Sequence, residues 1–311
     1  MVDPTATPIP IKPVRRKRLS LRTNETIAGL LFVSPMLIGV TILVLMPILA
    51  ILVLSFADWN FVQGWDGLSW IGFNNFKKLW ADPAFIRSVR NNFLFLLAVP
   101  IYMLVSMVLA VLIDRYVYWK GYFKVAYFMP YISSIVAVAV VWQVLFQPSY
   151  GPINEMLKAI GIANPPMWIA DPKFALYSIM MITIWTSIGF NLIIYIAGLQ
   201  SIPKDLYEAA DIDGANAWVK FARITFPLLS PTSFFLLVTG IISSFKVFDI
   251  IAVMTQGGPI GSTSLMVWYL YDQAFNNLKI GYASSVSVVL FLFVMIITAG
   301  QWFAQKKWVN Y

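Results

Sequence analysis

Six stretches of the chain are almost continuously apolar, near residues 27–56, 88–113, 125–146, 174–200, 231–254 and 282–304. Each is long enough to carry a helix across a hydrocarbon layer, which takes roughly 20 apolar residues for about 30 Å. The pattern predicts an all-α, polytopic membrane protein with six transmembrane helices. The first run is overlong, so tilt or exit into the headgroup region is expected. Pro47 and Pro100 fall inside runs and predict kinks. Between the runs, residues 57–87, 147–173 and 255–281 mix Gly, Pro, Asn and Trp in the manner of folded loops.

Charge gives these helices a direction. If both termini are cytoplasmic, the inside segments hold fourteen of the 22 basic residues, among them Arg15–Arg18, Arg115, Lys120, Lys204, Lys220, Arg223, Lys306 and Lys307. Seven lie outside and Lys246 lies within a run. The excess inside favours this orientation. Trp59, Trp65, Trp70 and Trp80 near one face, with Trp302 and Trp308 near the other, fit interfacial aromatic belts. Arg15-Arg16-Lys17-Arg18 before the first run resembles the start of a signal peptide, but the run far exceeds a roughly 7–15-residue leader core and no small-residue cleavage site closes it. Residues 1–26 are accordingly expected to be a basic, disordered cytoplasmic tail, 27–56 the first helix, 57–87 an extracytoplasmic loop, and 305–311 a second cytoplasmic tail.

Composition removes whole classes of chemistry. The chain of 311 residues is 59% hydrophobic and 12% charged, with no Cys and no His. Thiolate or imidazole metal sites, Cys/His nucleophile pairs and Ser-His-Asp triads are therefore excluded, as are disulfides. No GxxxxGK[ST] phosphate cradle occurs, so ATP cannot be held here by a P-loop. The net charge of +8 arises at the ends of apolar runs and not in a patch with stacking aromatics, which argues against nucleic acid. A lipid-modifying membrane enzyme lacks catalytic carboxylates or metal ligands at the surface. A secondary transporter would need coupling ionisable groups at the midplane and internal repeats, and neither is evident.

The most informative polar stretch is Ser201 to Pro231. Pro203 suits the first turn of a helix, and Leu206, Ala209 and Ala210 then share a face. Gly214 suits the left-handed position that ends it. Asn216 can cap a second short helix carrying Trp218, Phe221, Ala222 and Thr225 along one side until Pro227 stops it. Small Ala209 and Ala210 allow close approach of another backbone, and Tyr207 and Glu208 can anchor a partner. Asp205, Glu208, Asp211 and Asp213 make the first half acidic, which disfavours resting on anionic lipid.

Inside the runs, Thr183, Thr186, Ser187, Phe190 and Asn191 share a broad face of the fourth helix, and Gly240, Ser243, Ser244 and Val247 a comparable face of the fifth. Hydroxyls, an amide and an aromatic ring suit a sugar; small residues also simply let helices pack. Lys246 and Asp249 are spaced to pair along one helix, and without His or further carboxylates they make a poor proton relay.

The stretch from Glu208 resembles the signature loop of bacterial ABC-importer permeases, in which Glu-Ala-Ala is followed after three residues by Gly and, after nine more, by Ile-x-Leu-Pro. Glu208, Ala209, Ala210, Gly214, Ile224 and Pro227 are in register, and Phe226 stands where Leu is usual. Gly72–Phe76, Tyr127–Pro130, Tyr150–Asn154, Phe245–Asp249 and Thr255–Pro259 are similar to the carbohydrate branch of that family. The resemblance implies a type I, binding-protein-dependent importer permease with a core at 88–304 and an ATPase-coupling loop at 201–230. In it Tyr207, Glu208, Ala209, Ala210, Asp213, Gly214 and Pro227 would meet the ATPase. It further implies a second permease subunit, two cytoplasmic ATPase subunits that hold ATP and Mg2+, an extracytoplasmic solute-binding protein, and a place in the bacterial cell membrane. This chain itself would hold no cofactor. The solute would be a sugar or oligosaccharide, or else a polyol or glycerol phosphate.

Overall fold

The computed structural model describes residues 21–308, so the basic run Arg15–Arg18, most of the predicted N-terminal tail and residues 309–311 of the C-terminal one lie outside the described residues. The first apolar run is helical over Leu21–Val40 (α1) and Met46–Leu54 (α2), joined by a widened π turn at Thr41–Leu45. The helix thus begins ahead of residue 27. Pro47 has no N–H to give the ladder and its ring would crowd the preceding turn. The π turn just before it takes up that mismatch.

Residues 51–311 form a second compact unit. Its first short elements are strands β1 (Ala57–Asp58) and β2 (Ser69–Trp70), antiparallel, followed by α3 (Asn74–Ala81). Asn75 holds this hairpin by donating to the carbonyls of Ser55 and Ala57 at 3.1 and 2.9 Å. Helix α4 (Pro83–Phe95) opens on Asp82, whose carboxylate accepts from the Ala84 N–H, with Pro83 in the tolerant first position. It continues through a tight turn before Pro100 into α5 (Ala98–Tyr116).

The third apolar run is not one straight helix. It consists of α6 (Lys120–Ile132) and α7 (Ile135–Leu145), which meet at 92° across Ser133, in an extended conformation, and Ser134, at φ −56° and ψ 122°. Pro130 weakens the ladder ahead of the break, and the Ser133 hydroxyl satisfies the Met129 carbonyl at 2.8 Å. After α8 (Pro152–Ala159) comes the longest uninterrupted internal span, α9 (Ala175–Gln200), which packs along both α5 and α6.

A polar segment follows with α10 (Lys204–Ile212), α11 (Ala217–Lys220) and α12 (Phe226–Leu228), the last two joined by a π turn at Phe221–Thr225. Pro227 therefore does not end the helix as its ring chemistry predicts. As with Pro47, the turn before it is widened, and the chain runs almost directly into α13 (Ser230–Phe245). The fifth run then breaks at residues 246–248 before α14 (Asp249–Met254). Last come α15 (Met266–Tyr271) and α16 (Ile280–Trp308).

Among the described residues five helices are long and apolar enough to span a membrane, or six when the bent α6–α7 pair is counted as one span. In the second unit Tyr102, Met103 and Met107 of α5 pack against Leu192, Tyr195 and Ile196 of α9 and Leu236 of α13. Buried hydroxyls return to their own helices, as lipid requires: Ser106 to Tyr102 O at 2.6 Å, Thr186 to Ile182 O at 3.1 Å and Ser244 to Ile241 O at 2.7 Å. Ser106 also reaches Ile188 O of α9 at 3.1 Å, and Tyr195 donates to Ser233 of α13 at 3.2 Å. Such interhelical bonds average about 0.6 kcal/mol each, so they set register more than they add stability.

Candidate functional site

The polar segment at one end of the spans is built around two locked turns. Helix α10 ends with Ala215 N–H donating to Ala210 O at 2.9 Å and Gly214 N–H to Asp211 O at 3.1 Å, the two bonds of a Schellman close. Gly214 takes φ +73°, a conformation that costs other residues roughly 1–2 kcal/mol. Asn216 then caps the next helix, its Oδ1 accepting from the Val219 N–H at 2.9 Å. Lys220 forms an ion pair with Asp211 across the turn.

These turns sort the side chains into two faces. Glu208, Ala209 and Asp213 are exposed, with Leu206, Ile212 and Trp218 beside them; Ile212 is 88% exposed and Trp218 72%. Ala210 is half-buried. Tyr207 points the other way. Its hydroxyl lies 2.9 Å from the Thr225 hydroxyl, and the Arg115 guanidinium at the end of α5 sits 4.4 Å over its ring. Arg115 also donates to Thr225 at 3.3 Å. Tyr207 thus fastens α10 to its own chain, while Glu208 and Ala209 remain available to another. Arg115 had no mark in the sequence beyond its position at the end of an apolar run.

A second cluster lies between α5, α6, α9 and α13, where a cavity of about 120 Å³ is lined by Ser187, Phe190, Asn191, Gly240 and Ser243. Tyr102, Tyr131, Leu236 and Thr239 complete it. Gly240 is needed there, because a Cβ would collide with the Tyr102 hydroxyl. Tyr131 stacks on Phe190 with centroids 5.0 Å apart. The Asn191 amide donates to Ser187 O at 2.8 Å, which leaves its carbonyl oxygen as the acceptor it can turn to the cavity.

Four polar or small positions singled out in the sequence lie away from this lining. Thr186 is buried and bonded to Ile182 O and Thr183 O, Ser244 is buried and bonded to Ile241 O, and Thr183 and Val247 are half-buried. Leu236, Thr239, Gly240 and Ser243 follow the i, i+3, i+4, i+7 rule, so Thr239 was within reach of a stricter spacing argument. Tyr102 and Tyr131 come from other helices, and only the tertiary fold brings them in.

Lys246 and Asp249 do not pair. The helix is interrupted between them, with Phe248 at φ −136° and ψ −56°, so the i, i+3 geometry is lost. The ion pairs among the described residues are Lys120–Asp114, Lys158–Glu155 and Lys220–Asp211.

At the opposite end, α4 organises the segment 255–266. Arg87 donates to Ile260 O, Asn91 donates to Gly261 O and Ser264 O at 3.1 and 3.0 Å, and Asn92 Oδ1 accepts from the Met266 N–H at 2.7 Å. Asp82 accepts from the Tyr269 hydroxyl and, at 2.9 Å, from Tyr282. Partial burial pushes the Asp82 carboxyl up, but the bonds from Tyr269, the Ala84 N–H and Tyr282 outweigh it and hold the group below its ordinary 3.8. Burial and the Asp82 bond push the Tyr269 phenol up, so it stays a donor. Asn154 organises the 147–168 loop, donating to Pro148 O and Pro166 O and accepting from Trp168 Nε1 at 2.6 Å.

Residues 87–307 match the family described as binding-protein-dependent transport system inner membrane component. The chain is 33% identical to the lactose transport system permease protein LacF of Rhizobium radiobacter, over 93% of this chain and 98% of that one. It is 35% identical to the sn-glycerol-3-phosphate transport system permease protein UgpA of Agrobacterium fabrum, over 79% and 84%. Among solved structures, a bacterial ABC transporter involved in the import of the acidic polysaccharide alginate aligns with TM-score 0.81 and 25% identity. That alignment covers 93% of this chain and 99% of the other. The same kind of transporter in complex with a pentasaccharide-bound periplasmic protein aligns with TM-score 0.80 and 26% identity, over 92% and 97%.

Proposed function

The chain belongs to the family of binding-protein-dependent transport system inner membrane components, and from that membership we propose that it forms the path for a sugar or oligosaccharide in an ATP-driven importer. The observation that carries the role is the exposed Glu208–Ala209 face of α10, closed by Gly214 and fastened through Tyr207 to Arg115. A partner gripping that face moves α5 and α9 together.

The chain works without catalysing a reaction of its own. Two cytoplasmic ATPase subunits bind ATP and Mg2+; one of them receives α10, which places the α10 end and both termini in the cytoplasm. A second, related permease subunit completes the path, and a solute-binding protein delivers to the loops around Asp82 and Ile260. Closure of the ATPase pair pulls α10, and the spans rock between two states that differ in which end of the cavity is open.

Two features suit a carbohydrate. The cavity offers hydroxyls, the Asn191 amide and the Phe190–Tyr131 stack for a sugar's polar rim and its C–H face. Several relatives carry sugar names, LacF among them. At about 120 Å³ the cavity is smaller than the roughly 300–1,000 Å³ of ligand sites, so it must widen as the spans rock. A glycerol phosphate is the second reading, supported by the likeness to UgpA.

Purification of the intact assembly from its native membrane tests the role. Co-purifying subunits should include an ATPase with a P-loop and a related permease. A chain that purifies alone and transports under an ion gradient would contradict it.

A further inference from the structure

The stripe of α13 that lines the cavity, Leu236, Thr239, Gly240 and Ser243, stops three residues short of Lys246, the C-terminal cap of the helix. At three residues beyond Ser243 and seven beyond Thr239, its spacing continues that face. Its N–H closes the helix on Ser243 O at 3.0 Å, so the two residues are one turn apart at the cavity's edge. Lys246 is exposed, and it belongs to none of the ion pairs among the described residues. Asp249 is the carboxylate nearest in sequence, and the break at 246–248 removes it from pairing geometry.

A cation within a span is costly and is found where it faces a path or a partner charge. All nine residues lining the cavity are neutral. Their hydroxyls, amide and rings serve a polar solute of any kind, and Lys246 adds the full positive charge that the lining lacks. An ammonium on a flexible stem carries three donors and accepts a carboxylate or a phosphate equally well.

We propose that the solute moving along this path carries an anionic group, a carboxylate or a phosphate, that pairs with Lys246 at the level of Ser243. The proposal rests on the permease role given above and narrows its substrate class to acidic sugars or sugar-like phosphates. Lys246 meets the anion as a point charge, so its effect is on which solute passes and not on how α10 grips its partner.

The full complex with its binding protein, reconstituted in ATP-loaded vesicles without ion gradients, tests this with three probes: lactose, a uronic disaccharide and glycerol 3-phosphate. The expected result is uptake of one of the two anionic probes, a fall of tenfold or more in Lys246→Met, and recovery in Lys246→Arg, with ATP hydrolysis still stimulated by the binding protein. The uronic and phosphate arms separate the two anion sources. Uptake of lactose alone, or unchanged anion uptake in Lys246→Met, overturns the proposal and leaves the permease role standing. Recovery of anion uptake in the double variant Lys246→Met/Asp249→Asn also overturns it, by making Lys246 a counter-ion of Asp249. Uptake of nothing with ATP, against uptake with a gradient, overturns the permease role itself.

Discussion

The Arg115 guanidinium lies 4.4 Å over the Tyr207 ring, and both side chains reach the Thr225 hydroxyl. Three elements meet there: the end of α5, the helix α10, and the turn before Pro227. Arg115 lies 13 residues beyond Tyr102, so about 20 Å of rigid helix joins this clasp to the cavity.

Loosening the clasp should weaken coupling without removing the partner's grip. A partly desolvated cation–π contact contributes about 1–2 kcal/mol and the Tyr207–Thr225 bond about 1 kcal/mol. Tyr207→Phe keeps the first and should lower uptake about threefold per ATP hydrolysed. Tyr207→Ala loses both and should lower it about tenfold or more. Parallel uptake and phosphate-release assays on the reconstituted complex give this ratio; equal ratios in the two variants would show that the ring carries no force.

Gly214 closes α10 at φ +73°, in space where a Cβ meets no other atom within 4 Å. Gly214→Ala should therefore cost only the backbone term, about 1 kcal/mol, and leave uptake measurable. Gly214→Pro fixes φ near −65°, removes the N–H that caps Asp211 O, and should abolish uptake while the chain stays in the membrane. Glu208→Lys should do the same through the exposed face. Membrane fractionation beside uptake separates loss of function from loss of protein.

Substitutions at the cavity should divide by where each hydroxyl points. Ser187 lines the cavity, so Ser187→Leu should cut solute passage tenfold or more with ATPase docking preserved. Ser244 is buried and bonded to Ile241 O, so Ser244→Leu overpacks an interface, which typically costs about 1–3 kcal/mol, and lowers the amount of folded protein instead. Quantifying the assembled complex alongside uptake distinguishes the two.

The Asp82 clasp predicts an acid limb. Its carboxyl is held below 3.8 in the folded chain, so the stabilisation it gives is present above that value and is lost as pH falls through the lower folded one. Thermal unfolding of the detergent-solubilised complex should be flat in this respect from pH 5 to 8. Asp82→Asn should lower the midpoint across that range and flatten the acid limb. An unchanged acid limb in the variant would assign it to other carboxylates.

Apolar run length and the Glu208–Pro227 spacing made the spans and the α10 turn legible in the sequence, because membrane crossing and a left-handed close each leave a one-dimensional trace. What the sequence concealed has a common cause. Pro227 read as a stop and Pro47 as a kink, yet a widened turn before each lets the helix continue. The run near 125–146 read as one span, yet the chain turns by 92° at Ser133 and Ser134. Tyr207 read as a contact for a partner, because its companion Arg115 lies 92 positions away and only the packing of α10 under α5 joins them. Thr183, Thr186, Ser244 and Val247 share broad helical faces with the lining, but the angular position of a neighbouring helix decides which part of a face is open.

The most direct test of the account is solute uptake by the complete complex in vesicles, with ATP inside, binding protein outside and no ion gradient, comparing the natural chain with Glu208→Lys. The account predicts ATP-dependent uptake by the natural chain and its loss in the variant while ATP hydrolysis continues. Equal uptake by both, or uptake that follows an imposed proton or sodium gradient in the absence of ATP, would contradict it.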